Sequence, residues 1–224
     1  ANWLLVVAKV PIGPVGQLTL FIVDTSIDGV SISPVPGLSW YSASNGTIVL
    51  DNVRVPAMMR VGEVGQAFRG LIKQFNIERF TSVASSLALA RVAIADAIAW
   101  AQERKAFGDR LMGHQSLRHR LVSMVSEIRA SYAYLDHCVC QFNCGEAPMA
   151  DLCMLKIYAT GVLARSAHTA MNVLAGEAYR GNWRIQRIHR ESEIFMFMPL
   201  LLANSLNKII FFSNFSANAL FLII

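Results

Sequence analysis

The sequence contains no Gly-x-Gly-x-x-Gly, no P-loop, no His-Glu-x-x-His and no Gly-x-Ser-x-Gly. Those absences remove the dinucleotide fingerprint, the Walker-type phosphate cradle, the zincin metal pair and the hydrolase nucleophile elbow. Any cofactor must be held in another way. Charge is also scarce: 16% of the 224 residues are charged and 54% are apolar. That balance excludes a disordered chain. It is also too apolar for a freely exposed surface, so a cofactor pocket or a subunit interface is expected to absorb the excess. The net charge of +5 suits phosphate-rich partners but decides little.

Cysteine is confined to Cys138, Cys140, Cys144 and Cys153. On a helix Cys138 and Cys140 lie about 200° apart, which opposes convergence on one metal. Reduced core thiols in a reducing compartment are the expectation, with zinc or a disulfide as the alternatives. No charge follows Lys208. The run Ile209–Ile224 is shorter than the ~20 residues of a membrane span, so no span is expected. At the front, Trp3–Val10 lacks the basic lead-in of a signal peptide. It reads as a strand already under way, which suggests that an N-terminal part is missing.

What is present changes period once. Trp3–Val10, Gln17–Asp24, Val30–Val35 and Thr47–Val55 have strand chemistry, separated by turn formers at Pro11–Pro14, Asp28-Gly29 and Asn45-Gly46. From Gln66 the apolar spacing becomes helical. It predicts helices over Gln66–Lys105, Ser116–Phe142 and Ala150–Leu174, and short links between long helices argue for an up-down bundle. The boundary is expected near residues 56–65, and there is no internal repeat.

Three stretches could carry chemistry. Arg104 and Phe107 are expected to share a face at the end of the first helix, with Gln115 just past the turn. A guanidinium there can fork onto a pyrophosphate, the ring can cover an aromatic cofactor, and the amide can bond to the same ligand. The plain alternative is a basic last turn with a glycine stop. In Gln74–Arg79, Glu78 and Arg79 sit in an apolar helix, where partial desolvation would raise the carboxyl pKa toward that of a base. A structural ion pair, or Glu78 on a solvated face, is the alternative. In Asn172–Asn182, small residues after a helix would let backbone amides approach a ligand, the plain alternative being that they simply end the helix. Arg180, Arg184, Arg187 and Arg190 recur at helical spacing without aromatic platforms other than Trp183, so no nucleic-acid partner is expected.

Together these stretches resemble the acyl-CoA dehydrogenase family over residues 1–195. Thr47–Pro56 is similar to the last strand of the family's middle β-domain, and Gly62–Phe68 to its entry into the helical domain. The spacings from Arg79 to Arg104 and from Arg104 to Gln115 match the family pattern. Arg187-Ile-His-Arg190-Glu191 is similar to its Arg-Ile-Tyr-Arg-Asp/Glu segment.

The resemblance implies an α+β fold: the end of a β-barrel-like middle domain (1–60), an up-down four-helix-bundle domain (61–195) and an atypical hydrophobic tail (196–224). It implies that Arg104, Phe107 and Gln115 contact an FAD bound mainly by a neighbouring subunit, with Gly176 near it. Asn172 is placed at the cofactor where the family commonly has Gln. Ala175 and Ala178 stand where it often has Gly. The family's base takes the proton alpha to a thioester while flavin N5 accepts the beta hydrogen as hydride. Most members place that base near the C-terminus, at a position occupied here by Pro199. Isovaleryl- and long-chain-type members use a Glu immediately before the helix arginine, which makes Glu78 the expected base, with Asn76 and Arg79 at the substrate. The implied partners are an acyl-CoA, an electron-transfer flavoprotein and further copies of the chain in a homodimer or homotetramer. The implied location is the mitochondrial matrix or a bacterial cytoplasm. An oxygen-using acyl-CoA oxidase and an inactive oligomerisation fragment are the rival readings. After Ile194 the family's glycine-rich turn is replaced by an apolar run.

Overall fold

Period-two patterning at the front of the chain becomes two antiparallel sheets in the computed structural model, which describes residues 2–11, 17–39, 41, 46–204 and 220–222. The expected turn beyond Pro11 (12–14), Asn45 and most of the apolar tail (205–219, 223–224) lie outside the described residues. Two compact units divide the chain: Ala1–Phe75 with Leu200–Ile224, and Asn76–Pro199.

In the first unit β1 (Trp3–Val10) pairs along its whole length with β2 (Gln17–Asp24), Trp3 opposite Asp24 and Val10 opposite Gln17. The short β5 (Arg60–Val61) adds to the other edge of β2. The second sheet has the order β3 (Val30–Pro34), β4 (Gly46–Leu50), β8 (Leu220–Leu222), so the end of the chain returns to the β unit. Leu4, Val6, Val23, Ile48 and Val53 form the core from both sheets. Trp3 and Leu5, on the other face of β1, are 51% and 50% exposed. The strand expected over Thr47–Val55 stops at Leu50. Asn52 turns to φ +51, and the Asp51 N–H donates to the Gly29 carbonyl at 2.9 Å. Gly29 is required there: its φ is +93, and a Cβ would lie 2.1 Å from the Asp51 carbonyl oxygen.

The helices are α1 (Ala67–Glu103), α2 (Gln115–Asn143), α3 (Met149–Leu174), α4 (Gly176–Arg180) and α5 (Arg184–Asn204). The strand-to-helix change falls at Gln66 and Ala67, while the unit boundary lies inside α1 between Phe75 and Asn76. In the second unit α1, α2, α3 and α5 make an up-down four-helix bundle. The buried positions alternate by three and four: Val83, Leu87, Ala90, Ile94, Ala97 and Ala101 on α1, and Leu121, Met124, Ile128, Ser131, Leu135 and Cys138 on α2. That spacing keeps one seam facing a partner helix crossed at a shallow angle. Val83, Leu87, Leu135, Cys138, Leu155 and Ala159 meet in one cluster that joins α1, α2 and α3. By length and composition α1 could cross a bilayer, but these contacts are those of a core helix. Tyr134 Oη donates to Asp151 Oδ1 at 2.7 Å and fastens α2 to α3, a bond that pushes the phenol up to about 12.

The cysteine expectation needs correcting. All four thiols are free, but only Cys138 is a core residue; Cys140 and Cys144 are exposed and Cys153 is half-buried. Cys138 occupies the α2 seam, whereas Cys140, about 200° round the helix, faces away. Among the described residues no group of three or more ligand side chains could hold a metal ion.

Leu155 is fully buried in the three-helix cluster. Leu155→Ala should destabilise the bundle by ~2–5 kcal/mol through lost transfer energy and a residual cavity. A urea midpoint unchanged from that of the parent protein would show that this cluster does not hold the helices together.

Candidate functional site

The up-down path of the bundle sorts the candidate residues into two groups at opposite ends. Asn76, Glu78 and Arg79 lie near the start of the bundle portion of α1. Lys156, two turns into α3, and Met196 of α5 belong to the same end, joined by the Lys156 Nζ bond to the Met196 carbonyl. The packing confirms this end: Phe80 meets Phe142 with ring centroids 5.3 Å apart, and the Arg79 charge acts on Lys156. At the other end are Arg104, Phe107 and Gln115, between α1 and α2, and Asn172 and Gly176, between α3 and α4. There Trp100 of α1 meets Trp183 edge-on at 5.7 Å, and Arg184 forks onto Asp96 at 2.6 and 2.5 Å. Glu78 and Arg104 are separated by about 39 Å of helix axis. One chain therefore cannot bring its two groups to a common ligand atom.

At the first end Arg79 Nη1 donates to Asn76 Oδ1 at 2.7 Å, and no ion pair joins it to Glu78. The structural-pair alternative for Glu78 and Arg79 is thereby removed. The expected desolvation of Glu78 is corrected as well, and the solvated-face alternative is the one the structure matches: Glu78 is exposed, and neighbouring Ile77 is 54% exposed. Glu78 stands about 140° round the helix from buried Val83, which turns it away from the seam. Lys156 was not singled out from sequence, yet it is 3% exposed and donates from Nζ to the Met196 carbonyl at 3.2 Å. Its spacing from Leu152, Leu155, Ala159 and Leu163 was the available signal. Burial, helped by the Arg79 charge, lowers the Lys156 ammonium to about 8.

At the second end Arg104 and Phe107 do not share a helix face. The helix stops at Glu103, and Lys105–Ala106 (β6) pairs with Asp109–Arg110 (β7) in a two-residue hairpin. Phe107 and Gly108 at its tip have φ +55 and +85, the paired left-handed conformations of a tight hairpin turn whose twist suits the strands. Glycine adopts this freely, whereas Phe107 carries a cost of order 1–3 kcal/mol. The Leu111 N–H closes the loop onto the Arg104 carbonyl at 2.8 Å. The His114 ring lies edge-on to Phe107, with centroids 6.2 Å apart, and its Nε2–H donates to the Ala106 carbonyl at 3.2 Å. Phe107 is left 95% exposed beside an exposed Arg104, and Gln115 opens α2 next to them. An exposed ring, a planar cation and an amide fit a ligand that combines an aromatic system with phosphate.

Asn172 is exposed in the last turn of α3. Gly176 is exposed at the start of α4, and a Cβ built on it would meet nothing within 4 Å. Ala175 between them has φ +48 and ψ −126, a region that explains why glycine is usual there. The arginine series is internally engaged rather than a free stripe. Arg180 pairs with Glu177, Arg184 with Asp96 and Arg187 with Glu191.

Residues 65–198 match the family described as acyl-CoA dehydrogenase, C-terminal domain. The chain is similar to a 3-(aryl)acrylate reductase of Clostridium sporogenes, 25% identical over 178 residues that cover 79% of this chain and 47% of the relative. It is similar to the caffeyl-CoA reductase-Etf complex subunit CarC of Acetobacterium woodii, 24% identical over 179 residues, 80% of this chain and 47% of that protein. The acyl-CoA dehydrogenase structure from Geobacillus kaustophilus superposes with a TM-score of 0.81 at 23% identity, covering 92% of this chain and 57% of that one. A β unit leading into an up-down bundle is thus the α+β architecture of a known oxidoreductase class. The chain belongs to the acyl-CoA dehydrogenase family. It spans about half the length of the curated relatives it matches.

Lys156 generates a pH prediction. The unfolded chain keeps an ordinary lysine near ~10.4, while the native state loses the proton near 8. Between those values the unfolded state binds more protons, so native stability should rise with pH, and the charge-burial penalty is complete below the lower value. Lys156→Met should flatten the rise in melting temperature measured from pH 8 to 10. An identical slope in the variant would count against a native-state lysine titrating there.

Proposed function

We propose that this chain forms part of an FAD-dependent acyl-CoA dehydrogenase in which Glu78 is the catalytic base. The observation that carries the reading is the arrangement at α1: Arg79 is turned to Asn76, which leaves the exposed Glu78 carboxylate unpaired with its neighbour. Glu78 takes the proton from the carbon alpha to the thioester. Asn76 and Arg79, joined to each other, line the substrate side. FAD, when bound, would supply the hydride acceptor for the beta hydrogen, so that the product would be a trans-2-enoyl-CoA. In the reductive direction that the names of the two curated relatives state, the same carboxyl group would return the proton to the alpha carbon.

Arg104, Phe107, Gln115, Asn172 and Gly176 serve the cofactor at the other end of the bundle. Because that end is about 39 Å from Glu78 along α1, they act on a flavin shared with a second copy of the chain. This supports a homodimer or a homotetramer. The Etf complex in the name of the Acetobacterium relative supports an electron-transfer flavoprotein as redox partner.

Two measurements test the reading in a flavin-loaded, full-length protein. Glu78→Gln keeps the shape and removes the base, so turnover should fall at least about a hundredfold while acyl-CoA still binds; near-normal flavin bleaching by substrate in that variant would remove Glu78 from the mechanism. Arg104→Ala should lower flavin retention markedly and Arg104→Lys should restore it only in part, since a point charge cannot reproduce the planar fork. Unchanged flavin occupancy in the alanine variant would exclude Arg104 from the cofactor site.

A further inference from the structure

The short helix α4 cannot hold itself. Its Gly176–Arg180 span is far below the length at which a helix is stable alone, and its terminal carbonyls lack intrahelical partners. It also starts from Ala175, whose φ of +48 and ψ of −126 no L-residue adopts without support from its surroundings. Part of that support is backbone: the Ala175 N–H donates to the Met171 carbonyl at 2.8 Å and the Gly181 N–H to the Glu177 carbonyl at 2.9 Å.

The rest comes from one side chain. Gln186 Nε2 faces three carbonyls at the end of α4, those of Ala178 at 2.5 Å, Tyr179 at 3.3 Å and Gly181. Gln186 is in turn held from behind. Trp183 covers Gly181 so closely that a Cβ there would lie 2.5 Å from the indole, and the same ring packs on Trp100 of α1. Arg184 forks onto Asp96 of α1. The first turn of α5 is therefore anchored to the bundle at two points and presents the Gln186 amide to α4.

We infer that Gln186 is a positioning residue: its amide fastens α4 in place and with it the Gly176 backbone at the cofactor end of the bundle. The role rests on the flavin reading above. It also explains how this chain uses alanine at position 175, since the amide supplies the restraint that holds a backbone suited to glycine.

The test measures amide hydrogen exchange over 176–181 and the flavin dissociation constant in the full chain. Gln186→Leu should accelerate exchange in that segment and weaken flavin about tenfold, the scale of one to two lost hydrogen bonds, without changing exchange in α2. Gln186→Lys retains N–H donors and should stay close to the parent protein in both readouts. Adding Ala175→Gly to Gln186→Leu should recover most of the flavin affinity, because the strain that needed the clamp is gone and the two changes are coupled. Unchanged exchange in the leucine variant, faster exchange with unaltered flavin affinity, or strictly additive effects of the two substitutions would each overturn the role. A parent protein that takes up no flavin overturns the dehydrogenase reading itself, and this role with it, before any variant is compared.

Discussion

The seam of α1 is the constraint on which the bundle depends. Ala90, Ala93, Ala97 and Ala101 are fully buried, and side chains that small let neighbouring helices approach closely while Val83, Leu87 and Ile94 supply the apolar area. Larger residues at those alanines would push the helices apart and separate the ends that carry function. A helix of this length also acts as a spacer. It keeps Asn76, Glu78 and Arg79 at one end and Arg104 at the other.

The two ends are built on different physics. Around Glu78 the theme is charge. Lys156 is buried next to Arg79, and Arg79 is directed to an amide oxygen. At the other end the theme is backbone strain. Phe107 and Ala175 both have positive φ, and both are held by polar contacts from the chain around them. Such strain persists where surrounding structure over-determines it, and here it thrusts one ring into solvent and bares one glycine backbone.

Much of this was legible in the residues. The eight-residue strands β1 and β2 and the three long helices followed from period alone, because burying one face forces apolar residues onto a spacing of two or of three and four. Arg104, Phe107 and Gln115 are neighbours in sequence, so their grouping in space needed no fold. Gln186 and Lys156 were missed for opposite reasons. A lone glutamine in a polar turn carries no signal of its own. Lysine in an apolar stripe reads as an interruption until the carbonyl that receives it is known.

Local chemistry by itself determined where the chain is strand, where it is helix, and which residue types are available for acid–base and phosphate chemistry, since these depend on contacts within a few positions. Only the tertiary structure decided that Glu103 ends α1 and that Phe107 stands on a hairpin tip rather than a helix face. It alone turned Glu78 to the surface and set the two candidate groups at opposite ends of the bundle. Direction around and along a packed helix is fixed by what lies against it, and that partner comes from residues distant in sequence.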